Sequence, residues 1–168
     1  MKKDFFPKRP EVYIQKYPDR CTIEIYEAAI AVHGRHLQHI PEQFRTRELC
    51  VKALLNYNPR GKKYSTHNRA CEIKSSIPDD IKTYEFYKDV CGVCGNLLFL
   101  VPRKWLTVEI CRMAFLASGF RPPIGNIPFR EEFFELWEEM VVNNKHVYSY
   151  INTPTEKITA LHKMVWEI

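Results

Sequence analysis

One short stretch of this chain is written twice. Ile40-Pro41-Glu42-Gln43-Phe44-Arg45-Thr46-Arg47-Glu48-Leu49-Cys50-Val51-Lys52-Ala53 returns, position for position, as Val101-Pro102-Arg103-Lys104-Trp105-Leu106-Thr107-Val108-Glu109-Ile110-Cys111-Arg112-Met113-Ala114. A third, partial copy runs from Ile77-Pro78 to Tyr87. A unit this small cannot bury its own apolar face, so the copies must stack on one another.

Each copy reads as a helix. With each threonine as position zero, Thr22, Thr46, Thr83 and Thr107 are followed two residues later by Glu24, Glu48, Glu85 and Glu109. A threonine hydroxyl caps the unpaired amides of a first turn, and a glutamate there complements the positive end of the helix dipole. Twelve residues after the threonines stand Gly34, Asn58, Gly95 and Gly119. These residue types tolerate the left-handed geometry that closes a helix, and Pro59 reinforces the second stop. Between cap and stop the apolar residues follow helical periodicity. The four sets are Ile23, Ile25, Tyr26, Ala29, Ile30 and Val32; Leu49, Cys50, Ala53, Leu54 and Tyr57; Phe86, Tyr87, Val90, Cys91 and Cys94; and Ile110, Cys111, Ala114 and Phe115. Helices of about three turns are not stable alone in water. A fifth, degenerate copy starts at Phe133 behind Ile127-Pro128, with Leu136, Trp137, Met140 and Val141 as its apolar face. A sixth spans 156–166, with Ile151 in the place of Ile40. The starts are separated by 24, 37, 24, 26 and about 24 residues, so the unit is 24 residues with one 13-residue insertion. The expected fold is all-α, with tandem helical repeats stacked as a short α-solenoid or compact helical array in one domain over 1–168. Within it, 1–21 form a capping arm, 22–58 the first helix pair and 59–76 a basic, irregular insertion. Residues 77–119 form the second pair and 120–168 a divergent last pair.

The recurring threonine, glutamate, apolar residue, cysteine and alanine, closing in glycine and followed by the Ile-Pro and Val-Pro dipeptides at 40–41 and 101–102, resemble a tandem helical repeat family of unknown function. That family is found in bacterial proteins, effector-like ones included. The similarity covers 22–58 and 77–119, and more weakly 127–166. It implies a stacked-helix module without assigned catalytic residues.

Composition bounds what such a module can be. Of 168 residues, 45% are hydrophobic and 27% charged, as in a soluble globular chain. The longest uncharged run, Val90 to Val101, is too short for a bilayer, which needs about 20 residues. Pro7, Lys8 and Arg9 stand where a secretion signal needs an apolar segment. A cytoplasmic location is expected, in the bacterial cytosol or in a host cell if the protein is exported as an effector. The net charge of +5 is uneven: residues 59–76 carry +4 and residues 130–168 carry −3. Segments 59–76 and 119–126 follow the second and fourth helices, and insertions in repeat arrays often gather on a binding face. Arg60, Lys62, Lys63, Tyr64, His67, Arg69, Phe120 and Arg121 are therefore the expected partner-binding residues.

No residue pattern requires a cofactor or a metal. Cys91 and Cys94 have the spacing of a redox or zinc pair, yet Cys91 holds the site of Ile30, Leu54 and Phe115. Cys50 and Cys111 share theirs with Tyr26 and Tyr87, which makes them packing residues. His33, His36 and His39 follow a three-residue spacing, but Gly34 interrupts any single helical face, so they read as partly buried packing residues. A thiol enzyme would need a lowered cysteine pKa and a base; Cys21 lies at a helix start and Cys71 in the basic insertion, without a histidine partner visible in sequence. The function expected is a non-catalytic protein–protein interaction module binding through 59–76 and 119–126; the resemblance implies a bacterial effector or regulatory adaptor. The alternatives are nucleic-acid binding through the basic insertion and a cysteine-dependent enzyme.

Overall fold

Helices of seven to eleven residues leave a large share of their end groups unpaired and must lay their apolar faces on neighbours. The computed structural model describes residues 7–57, 66–119 and 124–167. Its helices are α1 (Pro10–Lys16), α2 (Ile23–Val32), α3 (Arg47–Leu55), α4 (Thr66–Ser75), α5 (Tyr84–Val93), α6 (Val108–Ala117), α7 (Phe134–Asn143) and α8 (Glu156–Trp166). Short 3-10 helices join them, notably Gly34–His39 with Glu42–Phe44, and Gly95–Leu100 with Arg103–Trp105. The fold is all-α: no strand occurs among the described residues, and no helix there is long and apolar enough to cross a membrane. The chain divides into two units, residues 1–86 and 87–168, with the boundary in the first turn of α5.

Five helices bury the same four positions. Counting from the threonines, and from Phe133 in α7, these are the third, fourth, seventh and eighth residues. They are Ile25, Tyr26, Ala29 and Ile30 in α2, and Leu49, Cys50, Ala53 and Leu54 in α3. In α5 they are Phe86, Tyr87, Val90 and Cys91, in α6 Ile110, Cys111, Ala114 and Phe115, and in α7 Leu136, Trp137, Met140 and Val141. Polar atoms at the fourth position reach back to a carbonyl before the helix. Tyr26 Oη donates to Pro18 O at 2.7 Å and Trp137 Nε1 to Pro128 O at 3.0 Å, so neither aromatic strands a buried donor. The expected flank residues Ile23 and Val32 lie outside this set and remain over 40% exposed. In α8 only Ile158 is buried.

Three pairs of neighbouring helices, α2 with α3, α5 with α6 and α7 with α8, run parallel. In the first unit Lys52 Nζ meets Glu27 Oε1 at 2.6 Å, and four residues further on Asn56 Nδ2 donates to the Ile30 and Ala31 carbonyls at 2.6 and 2.7 Å. In the second, Lys88 pairs with Glu109, and Gly92 lies beside Met113. Glu138 pairs with Lys157 at 2.6 Å, while Trp166 Nε1 donates to Val141 O at 2.8 Å. A further pair, Arg112 with Glu139 at 2.9 Å, links α6 to α7. The 3-10 segments carry the chain back between parallel helices, and Leu37, Ile40, Leu97, Leu100 and Val101 are buried beneath them.

The helix ends correct two expectations. Thr46, Thr83 and Thr107 accept a bond from the amide three residues on, each at 3.3 Å, and so does Thr155 at 3.2 Å. Thr22 stands at the N-cap of α2 but accepts no such bond; its side chain bonds to Glu24 instead, which holds that carboxyl below its ordinary range. Of the expected left-handed closures, Gly119 has φ 62°. Gly34 and Gly95 do not have positive φ. They are glycine because a Cβ would lie 1.8 Å from the carbonyl oxygens of Ala53 and Ala114. Asn58 lies outside the described residues, and α3 ends at Leu55.

Candidate functional site

The segment expected to be an irregular insertion contains a helix. Its apolar residues Ala70, Ile73 and Ile77 recur at three- and four-residue intervals and are buried, which is enough to seat α4 against the first unit. His67, Asn68, Cys71, Glu72 and Ser75 face solvent, and Arg69 and Lys74 are half-buried. Arg45 fastens the far end of this insertion. Its Nε donates to Ile40 O at 2.7 Å, Nη1 to Ser76 O at 2.6 Å and Nη2 to Gln38 O at 3.4 Å.

Beside α4 packs the 3-10 helix Gly34–His39. Three residues per turn bring i and i+3 into line, so the three histidines stand in a row after all. The His33 and His36 ring centres are 6.4 Å apart, and those of His36 and His39 6.1 Å. His33 Nδ1 accepts from Arg35 N at 3.1 Å, and His39 Nε2 accepts from the Gln38 amide at 3.1 Å. His36 Nδ1 is buried without a hydrogen-bond partner. Burial holds the pKa of all three below the ordinary histidine range. Arg35 lowers each further, joined by Arg69 and His36 at His33 and by His39 at His36; Glu72 opposes at His33 and Glu11 at His36. At neutral pH the row is a neutral, hydrogen-bonding strip beside cationic Arg35 and Arg69. Among the described residues no group of three or more His, Cys, Asp or Glu is arranged to hold a metal ion.

Two of the eight expected binding residues fall on this surface: His67, exposed on α4, and Arg69, next to His33. Arg60, Lys62, Lys63, Tyr64, Phe120 and Arg121 lie outside the described residues. The residues that sequence reasoning missed are Arg35 and Arg45; the latter differs from its counterpart Leu106, and that difference was the available signal.

The cysteines divide by environment. Burial pushes Cys50, Cys91 and Cys111 up to about 12, so at neutral pH they remain thiols and act as small apolar residues. Burial also raises Cys94. Cys21, at the start of α2, donates to Tyr17 O at 3.2 Å; burial and the charge of Asp19 raise it, the opposite of thiol activation. Cys71 is exposed on α4.

No protein-family model matches this chain, and neither a curated protein nor a solved structure matches it.

Proposed function

We propose that this chain is a tandem helical-repeat module, its units of about 24 residues stacked as a short α-solenoid, that binds a protein partner through 59–76 and 119–126. The observation that carries the reading is the five-fold use of one buried quartet. It supports a chain given over to stacking, in which α4 is an insertion between two template helices. The resemblance to bacterial helical-repeat proteins extends the proposal to an effector or regulatory adaptor. The test replaces Arg60, Lys62, Lys63, Tyr64, His67, Arg69, Phe120 and Arg121 by alanine and compares proteins captured from bacterial and infected-cell lysates by mass spectrometry. Partner capture falls while the melting temperature stays unchanged; equal capture by both forms contradicts the assignment.

A second reading, nucleic-acid binding, draws on charge. Residues 1–86 hold 16 Lys and Arg against 11 Asp and Glu, whereas 87–168 hold nine of each. The whole formal excess therefore belongs to the unit that carries α4. Gel shifts with mixed DNA and RNA separate the two readings, because phosphate-driven binding weakens steeply with salt.

A further inference from the structure

The second unit contains a groove of about 530 Å³ whose lining includes Leu98, Val101, Arg103, Leu106, Ile127 and Arg130. That is the size of a ligand-binding cleft (roughly 300–1,000 Å³). The corresponding place in the first unit is filled by the chain itself. Ile40 to Arg45 match Val101 to Leu106, and Ser76-Ile77-Pro78 match Asn126-Ile127-Pro128. In the first unit the Arg45 guanidinium occupies this place, bonded to the carbonyls of Ile40 and Ser76. In the second, the arginine position is Leu106, which has nothing to donate. The matching carbonyls of Val101 and Asn126 accept no hydrogen bond from the described residues.

The charge at the rim is inverted as well, because Glu42 becomes Arg103. Arg103 is exposed, and its side chain has no hydrogen-bond or ion-pair partner among the described residues. Arg130 is tethered, with Nη2 2.8 Å from Glu132 and its guanidinium over the Phe133 ring. Among the described residues no carboxylate belongs to the groove lining. A cleft with a guanidinium unpaired among the described residues, open carbonyl acceptors and a mixed lining in which Phe99, Leu106 and Pro128 are partly exposed complements a peptide that brings a carboxylate, backbone N–H groups and an apolar side chain.

We propose that this groove binds an acidic segment of a partner protein. A carboxylate of the segment pairs with Arg103, its backbone N–H groups donate to Val101 O and Asn126 O, and its apolar side chains lie against the half-buried Phe99, Leu106 and Pro128. The groove includes Gly125 and Asn126 of segment 119–126, so the proposal rests on that half of the proposed binding surface and names its ligand; its test does not involve α4, so failure here leaves binding through 59–76 standing.

The test is fluorescence anisotropy with a short fluorescein-labelled peptide of alternating glutamate and leucine, titrated with the full chain. Saturable binding is expected, weakened about tenfold by Arg103→Ala, the loss of roughly one charge-assisted hydrogen bond. The double substitution Arg103→Glu/Leu106→Arg rebuilds the pair that stands at the matching positions in the first unit and should abolish binding. A peptide with glutamine for glutamate should bind at least about tenfold more weakly. Absence of saturable binding by the wild-type chain, equal affinity for wild type and Arg103→Ala, or equal affinity for the glutamine peptide each overturns the proposal. Arg103 is exposed, so its alanine variant decides the matter even if the double variant fails to fold.

Discussion

At the scale of single residues, the constraints are steric and protonic. Gly34 and Gly95 each sit where an added Cβ would run into a backbone oxygen at 1.8 Å. Gly34→Ala or Gly95→Ala should therefore destabilise the chain by at least about 2 kcal/mol, because backbone cannot yield as a side chain can. Gly125→Ala, with nothing within 4 Å of its Cβ among the described residues, should stay within about 0.5 kcal/mol; urea denaturation of the three variants checks both. The histidine row makes the stability of the first unit depend on pH. Its folded pKa values lie below the ordinary 6.5, so the unfolded chain takes up protons first as pH falls. Stability is then complete above 6.5 and declines as pH drops through that value. Glu11, Glu24 and Glu48, held below the ordinary 4.5, add their losses only under more acidic conditions. His36→Leu copies Leu97, the buried residue at the matching position. It should raise the melting temperature and flatten its fall between pH 7.5 and 5.5; an unchanged slope would show that His36 plays no part.

At the scale of elements, α4 depends on Arg45. Replacing it by leucine, as in the second unit, should cost about 1–3 kcal/mol through the lost charged hydrogen bonds. It should also speed amide exchange across Thr66–Ser75 more than in α2; equal acceleration would make Arg45 a general rather than a local brace. The ion pairs between parallel helices are another matter. Lys52–Glu27, with both side chains about half exposed, is screened by water, and Lys52→Ala should cost less than about 1 kcal/mol by thermal melting. These elements also mark what was legible in the sequence. The buried quartets were readable because identical helices must bury identical positions, and Ile25 through Val141 follow that spacing. The α4 helix was not, because Ala70, Ile73 and Ile77 use a different register within a polar stretch. The histidine alignment was hidden because it depends on a 3-10 winding too short to leave a periodic signal. Gly34 and Gly95 were found for the wrong reason: they suit left-handed turns, but here close helix approach requires them. Thr155 was overlooked because no glutamate stands two residues after it. Of the candidate site, His67 and Arg69 were chosen on sequence charge alone, whereas Arg35 joins them only through tertiary packing.

At the scale of the whole molecule, formal charge is divided by unit, with the full excess of +5 in residues 1–86. An acidic protein and a nucleic acid would both be drawn to that unit, and the salt dependence of binding distinguishes them. Beneath either function lies one physical requirement: helices of this length persist only because their quartets interlock. Native-state hydrogen exchange on Met140→Ala tests that directly. Met140 is fully buried in α7, and its truncation should cost about 2–5 kcal/mol. The expected result is a matching loss of protection in α6 and α8 along with α7. Loss confined to α7, with α6 and α8 protected as before, would contradict mutual support between the helices.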